Sequence, residues 1–163
     1  MNSKTPSSTS EYDIESHLAI LNLEGEYART WDTANPEGWA SLFTEDGIFE
    51  MLPVGRTRGE FFRGRSELAA FCRRINESYR GLHLIHVPSV CIEGDRANSW
   101  IHFEFRSLQG STQGSVAGIY QVDYARTSDG WRIHHRIEQA VARSSSAFGP
   151  IPTTLASLVP QAD

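Results

Sequence analysis

Ser115-Val-Ala-Gly-Ile-Tyr-Gln-Val-Asp-Tyr-Ala-Arg126 and Trp131-Arg-Ile-His-His-Arg-Ile-Glu-Gln-Ala-Val-Ala142 flank the turn Ser128-Asp129-Gly130. Both segments are rich in β-branched and aromatic residues, and the Asp-Gly between them is a hairpin signal. Two further strands precede them, about 83–92 and 97–108, joined at Gly94-Asp95. Strands of ten or more residues are long for a chain of 163, and such strands build a strongly twisted, curved sheet.

Everything upstream reads differently. A helix is expected over about 13–33, with Ile14, Leu18 and Leu21 on one edge of its apolar stripe and Ile20, Leu23, Tyr27 and Trp31 on the other. Asn35-Pro36 starts a short second helix, 37–43, where the missing proline N–H costs nothing. Glu45-Asp46-Gly47 turns the chain into a strand over 48–52, and a short strand over about 57–62 pairs with it. Gly64 and Ser66 open a third helix to about residue 78, with Leu68, Ala69, Phe71, Cys72 and Ile75 facing inward. Helices first and a long meander afterwards predict an α+β domain. Its helices pack on one face of a mixed, mainly antiparallel sheet that curls into a cone and leaves a cavity suited to a small molecule. The expected organisation is a disordered tail over 1–11, one domain over 12–142, and a tail over 143–163. The apolar Phe148, Ile151, Leu155 and Leu158 of that tail suggest a cap over the cavity.

A net charge of −5 and the lack of a basic stripe argue against nucleic acid as the partner. No apolar run approaches the ~18 residues of a membrane span. The first ten residues lack the apolar core of a secretory signal, and two cysteines, Cys72 and Cys91, read as reduced and mostly buried thiols. A cytoplasmic protein is expected.

Three polar side chains stand where apolar surroundings are expected. Tyr27 and Asp32 close the first helix in Tyr27-Ala-Arg-Thr-Trp-Asp32. His86 lies in Leu82-His-Leu-Ile-His-Val-Pro-Ser-Val-Cys-Ile92, and simple alternation puts it on one face with Leu84, Pro88, Val90 and Ile92, leaving His83 on the other. A titratable ring on an apolar face needs a partner, which the upstream carboxylate could supply. The combination points to acid–base chemistry in a greasy pocket. Tyr27 and Asp32 are five residues apart, about 140° on an ideal helix, so they converge only if the helix ends or distorts at Asp32. A helix C-terminus also disfavours the Asp32 charge, so something must compensate it. Alternation further groups Arg132, His134, Arg136 and Glu138 on one face of the last strand, either as a self-neutralising stripe or with an arginine entering the pocket to bind an anion. His83 and His86, like His134 and His135, fall on opposite faces, so no metal site is expected. Walker loops and dinucleotide fingerprints are absent: Gly110-Ser-Thr-Gln-Gly114 precedes no helix.

The chain resembles the SnoaL-like branch of the nuclear-transport-factor-2-like superfamily. The matching stretches are Tyr27-Ala-Arg-Thr-Trp-Asp32, Trp39-Ala-Ser-Leu-Phe-Thr-Glu-Asp-Gly47, Gly64-Arg-Ser-Glu-Leu68, Ile92-Glu-Gly-Asp-Arg-Ala97, Gly118-Ile-Tyr-Gln-Val122 and Asp129-Gly-Trp-Arg-Ile133. The resemblance implies the cone-shaped, cystatin-like fold. It also implies an Asp–His pair of the kind used by scytalone dehydratase, bile acid 7α-dehydratase and hexachlorocyclohexane dehydrochlorinase, with Asp32 and His86 in the matching places. The spacing of Tyr27 and Asp32 is most similar to the bile acid enzyme; Trp31 stands where scytalone dehydratase has a tyrosine.

On that resemblance His86 removes a proton next to an electron-withdrawing group, Asp32 orients its ring, and Tyr27 donates to the developing oxyanion. Trp31, Phe49, Met51, Leu84 and Tyr120, with Arg136, would bind an apolar polycyclic, polyketide-, terpenoid- or steroid-like substrate, with no cofactor and no metal. The first expectation is a dehydratase. An isomerase or cyclase using the same dyad is the alternative among enzymes. A ligand-binding module or the small subunit of a ring-hydroxylating dioxygenase is the alternative outside catalysis. Self-association as a homodimer or homotrimer follows from the same resemblance.

Overall fold

The computed structural model describes residues 13–55, 58–109 and 112–144. The tail expected over 1–11 and nearly all of that over 143–163 lie outside the described residues; residues 143 and 144 finish the last strand. Three helices precede most of the sheet: α1 (Ile14–Asp32), α2 (Pro36–Ser41) and α3 (Arg65–Ser78). Asp13 caps α1 by accepting the Ser16 N–H, and Asn35 caps α2 by accepting that of Gly38. The strands are β1 (Phe43–Met51), β2 (Glu60–Arg63), β3 (Arg80–Ile85), β4 (Ser89–Glu93), β5 (Arg96–Gln109), β6 (Thr112–Thr127) and β7 (Gly130–Ser144). They form one sheet in the order β2-β1-β7-β6-β5-β3, with β4 also on β5. Only β1–β7 is parallel, so the sheet is mixed and mainly antiparallel, as expected.

Between helices and sheet lies an aromatic core. Ile20, Leu23, Tyr27 and Trp31 of α1 pack with Trp39, Phe43, Phe49, Leu68 and Phe71 against Ile101, Phe103, Tyr120 and Ile133. One edge of the expected α1 stripe is absent from it: Ile14 and Leu18 are exposed, and Ser16 and Glu24 are buried in their stead. Cys72 is buried, whereas Cys91 is exposed. No helix among the described residues is long and apolar enough to cross a membrane.

Three single-residue insertions decide which side chains face the core. On β5, alternate residues from Ala97 to Phe105 are all buried, so its parity never changes. Its antiparallel partner is not one strand but two. Ile85 pairs with Phe103 and Ser89 with Trp100, so residues 86, 87 and 88 oppose only Ile101 and His102. The extra residue inverts the alternation between β3 and β4. Pro88, which cannot donate to a ladder, sits in this break. Strand β7 carries two more. Asp123 pairs with His135 but Tyr124 with Ile133, and Ala117 pairs with Ala142 but Gly118 with Ala140. The inward set of β7 therefore runs Trp131, Ile133, then Arg136, Glu138 and Ala140, then Arg143.

Candidate active site

The insertion at residues 86–88 corrects the histidine. Val90 and Ile92 face inward on β4 as alternation predicts, but carrying that parity back across the break selects the wrong residues on β3. His86 is exposed, its N–H donates to the His102 carbonyl (3.0 Å), and its ring neighbours that of His102 rather than Asp32. Leu84 is likewise exposed at 41% and takes no part in the pocket. The inward residue is His83, whose side chain is 5% exposed.

Asp32 ends α1, and the chain turns sharply there, with Ala34 at φ 52° and the Asn35 N–H bonded to the Thr30 carbonyl (2.9 Å). The Asp32 carboxylate accepts the backbone N–H of His83 (3.0 Å) and the ring Nδ1 of the same residue (2.8 Å). These donors compensate the charge that the helix C-terminus disfavours. A carboxylate only accepts, so Nδ1 carries the proton and Nε2 holds the free lone pair. Among the described residues nothing hydrogen-bonds to Nε2. Burial holds the His83 ring below its ordinary pKa, against the opposing pull of Asp32, so the ring is neutral near pH 7. A neutral, oriented imidazole is in the form a general base requires.

His83 opens onto a cavity of about 230 Å³ between helices and sheet. Tyr27, Trp31, Phe49, Met51 and Tyr120 line it as expected, and so do Phe71, Phe103 and Phe105. The Tyr27 ring stands 5.9 Å from that of His83 and 5.8 Å from that of Tyr120. Burial pushes both phenols well above their usual pKa, so both keep their protons and can donate. Thus Tyr27 and Asp32 do serve one place, but through His83: Tyr27 faces the cavity and Asp32 stands behind the ring.

Arg136 does not line the cavity. It is wholly buried beneath it, its Nη2 paired with both oxygens of Glu24, which also accepts the Tyr124 hydroxyl (2.7 Å). The guanidinium lies 3.7 Å from the Tyr27 ring centre and 4.6 Å from that of Tyr120. Its role is to support those rings. Arg132 and His134 leave this face because of the insertion at His134, whose Nδ1 lies 3.9 Å from Asp46. The stripe expected along β7 is therefore split, and of the residues in it only Glu138 lines the cavity. Alternation alone misses His83 and Arg143; the proline inside an apolar run was the one signal of a break near His83. Among the described residues no group of three His, Cys, Asp or Glu side chains could hold a metal ion.

A model of the SnoaL-like domain matches residues 13–137. A Mycobacterium tuberculosis protein of unknown function is similar in structure, with 27% identity, TM-score 0.70, and 78% of this chain and 77% of that one covered. A candidate scytalone dehydratase from Novosphingobium aromaticivorans shares 18% identity, with TM-score 0.71 over 86% and 95% of the two chains. Hexachlorocyclohexane dehydrochlorinase from Novosphingobium barchaimii shares 15%, with TM-score 0.71 over 84% and 96%. At such identities the last two show the common fold. No curated protein matches the chain in sequence.

Proposed function

Because the chain belongs to the SnoaL-like domain family, we propose that its cavity is the active site of a lyase that abstracts a proton with the Asp32–His83 pair, most simply a dehydratase. The observation that carries this reading is the 2.8 Å bond from His83 Nδ1 to Asp32, which leaves Nε2 as a neutral base beside an aromatic cavity. Nε2 takes the proton from a carbon next to a carbonyl, and Tyr27 donates to the oxygen on which charge builds. The C–H pair becomes the new C=C bond, the bond to a hydroxyl on the next carbon breaks with its pair on oxygen, and that oxygen leaves as water once protonated. Asp32 stabilises the imidazolium formed meanwhile. The similarity to a candidate scytalone dehydratase and to a dehydrochlorinase supports elimination over isomerisation or ring closure, which share the same first step.

The cavity narrows the substrate. At about 230 Å³ it falls below the roughly 300–1,000 Å³ of pockets for drug-sized ligands, which favours a one- or two-ring compound over a four-ring steroid. A cytoplasmic address belongs to the same proposal, in keeping with two unpaired cysteines, as does self-association. The test is proton exchange at the α-carbon of 2-tetralone in D2O, followed by NMR, together with dehydration of 3-hydroxy-1-indanone, followed by enone absorbance. Exchange and dehydration that vanish in His83→Gln support the reading. Wild-type rates no faster than buffer on both probes would sink it.

A further inference from the structure

The mechanism leaves a buried carboxyl of the cavity unused. Glu138 of β7 lines the cavity, and among the described residues no donor meets its carboxyl. Its inward direction is imposed by the insertion at His134, so it is a feature of the sheet rather than of a flexible surface chain.

The register locates it relative to His83. Glu138 pairs with Tyr120, which pairs with Ile101, whereas His83 pairs with Phe105. Between Ile101 and Phe105 the chain advances about 13 Å along β5, and the step from β7 to β3 crosses three strand spacings, about 14 Å before curvature is counted. The two side chains therefore enter the cavity from backbone positions far apart on the sheet, His83 from β3 and Glu138 from β7.

We propose that Glu138 is a specificity-determining residue: it donates a hydrogen bond to an acceptor oxygen at the end of the substrate remote from His83. This inference rests on the dyad reading and deepens it by naming the substrate class. The ligand is a neutral one- or two-ring compound with a carbonyl at the His83 end and an ether, carbonyl or hydroxyl oxygen at the far end.

The charges around Glu138 fit a donor role. Burial pushes its carboxyl up to about 7, and the arginines that pull it the other way, Arg143 and Arg136, lie on its own strand. From β6 and α1 it is faced by the phenols Tyr120 and Tyr27, which stay neutral, as does Tyr79 at the C-terminal end of α3. His83, Arg58 and Glu60 complete the titratable lining, with Glu60 committed to Arg74 at 3.3 Å. A protonated carboxyl in an apolar site donates; once ionised, it can only accept, and it repels an ether or carbonyl oxygen.

Two probes separate the ends of the cavity. 2-Tetralone offers only the carbonyl, and 6-methoxy-2-tetralone adds an ether oxygen across the ring system. Isothermal titration of the full chain at pH 6 is expected to show about fivefold tighter binding of the methoxy compound, the size of one added hydrogen bond. That preference disappears at pH 8.5. In Glu138→Gln it persists at both pH values, because an amide donates without titrating, and in Glu138→Leu it is lost at both. No preference in the wild-type protein, including no binding of either probe, overturns the proposal, and so does a preference that survives Glu138→Leu. Proton exchange by the same probes in His83→Gln reports on the dyad separately. A preference without exchange in the wild-type protein defeats the dyad reading and leaves Glu138 its role, while exchange without a preference does the reverse.

Discussion

Asp32 grips His83 twice, taking its backbone N–H at 3.0 Å and its ring Nδ1 at 2.8 Å, so one carboxylate fixes both the edge strand and the tautomer of the imidazole it carries. Strand position and proton position are thereby a single structural fact. Asp32→Asn presents one donor and one acceptor where two acceptors are needed, and is expected to lower 2-tetralone exchange by roughly 10²–10⁴-fold. Far-UV circular dichroism should show that the sheet is retained.

The two histidines of the β3–β4 stretch are expected to behave oppositely. His83→Gln abolishes exchange above the buffer rate, whereas His86→Gln, an exposed site on the far face, leaves rate and melting temperature close to wild type. Equal losses in both variants would contradict the placement of the break.

Stability should depend on pH through two cavity groups with opposite signs. His83 binds its proton less readily folded than unfolded, so its contribution is complete above the ordinary value of 6.5 and declines as pH falls below it. Glu138 is raised from 4.5 to about 7, so its contribution is complete below 4.5 and is lost as pH rises through 7. Melting curves should show His83→Gln removing part of the acid-side decline. Glu138→Gln should gain most over wild type at pH 8 and least at pH 5.

Arg136 and Glu24 form a buried pair under the tyrosines. Arg136→Met alone strands the Glu24 charge and is expected to cost about 3–5 kcal/mol in urea unfolding. Adding Glu24→Leu to it should recover much of that loss. If the double variant is no more stable than the single one, the pair is not what holds this layer.

Gly118 lies at the β6–β7 insertion, beneath the Phe103–Tyr120 stack with its ring centroids 4.0 Å apart. A Cβ there would meet the Gln139 carbonyl at 2.4 Å and the Ala140 Cα at 2.9 Å, both backbone atoms that cannot swing aside. Gly118→Ala is expected to destabilise by about 1–3 kcal/mol and to weaken 2-tetralone binding by disturbing the cavity floor.

The sequence alone was sufficient for the three helices, the long meander, the curved α+β architecture, and the position of Tyr27 and Asp32 in the last turns of α1. Those readings rest on local periodicity and on capping, which belong to contiguous residues. It was not sufficient for the histidine that Asp32 holds. Strand alternation is a count of two, and a single unpaired residue resets it, so the parity that correctly buries Val90 and Ile92 wrongly buries His86. The same arithmetic split Arg132 and His134 from Arg136 and Glu138, and brought Arg143 inward. Whether a residue is unpaired depends on the partner strand, β5 for the histidine and β6 for the rest, and only the folded sheet brings those partners alongside.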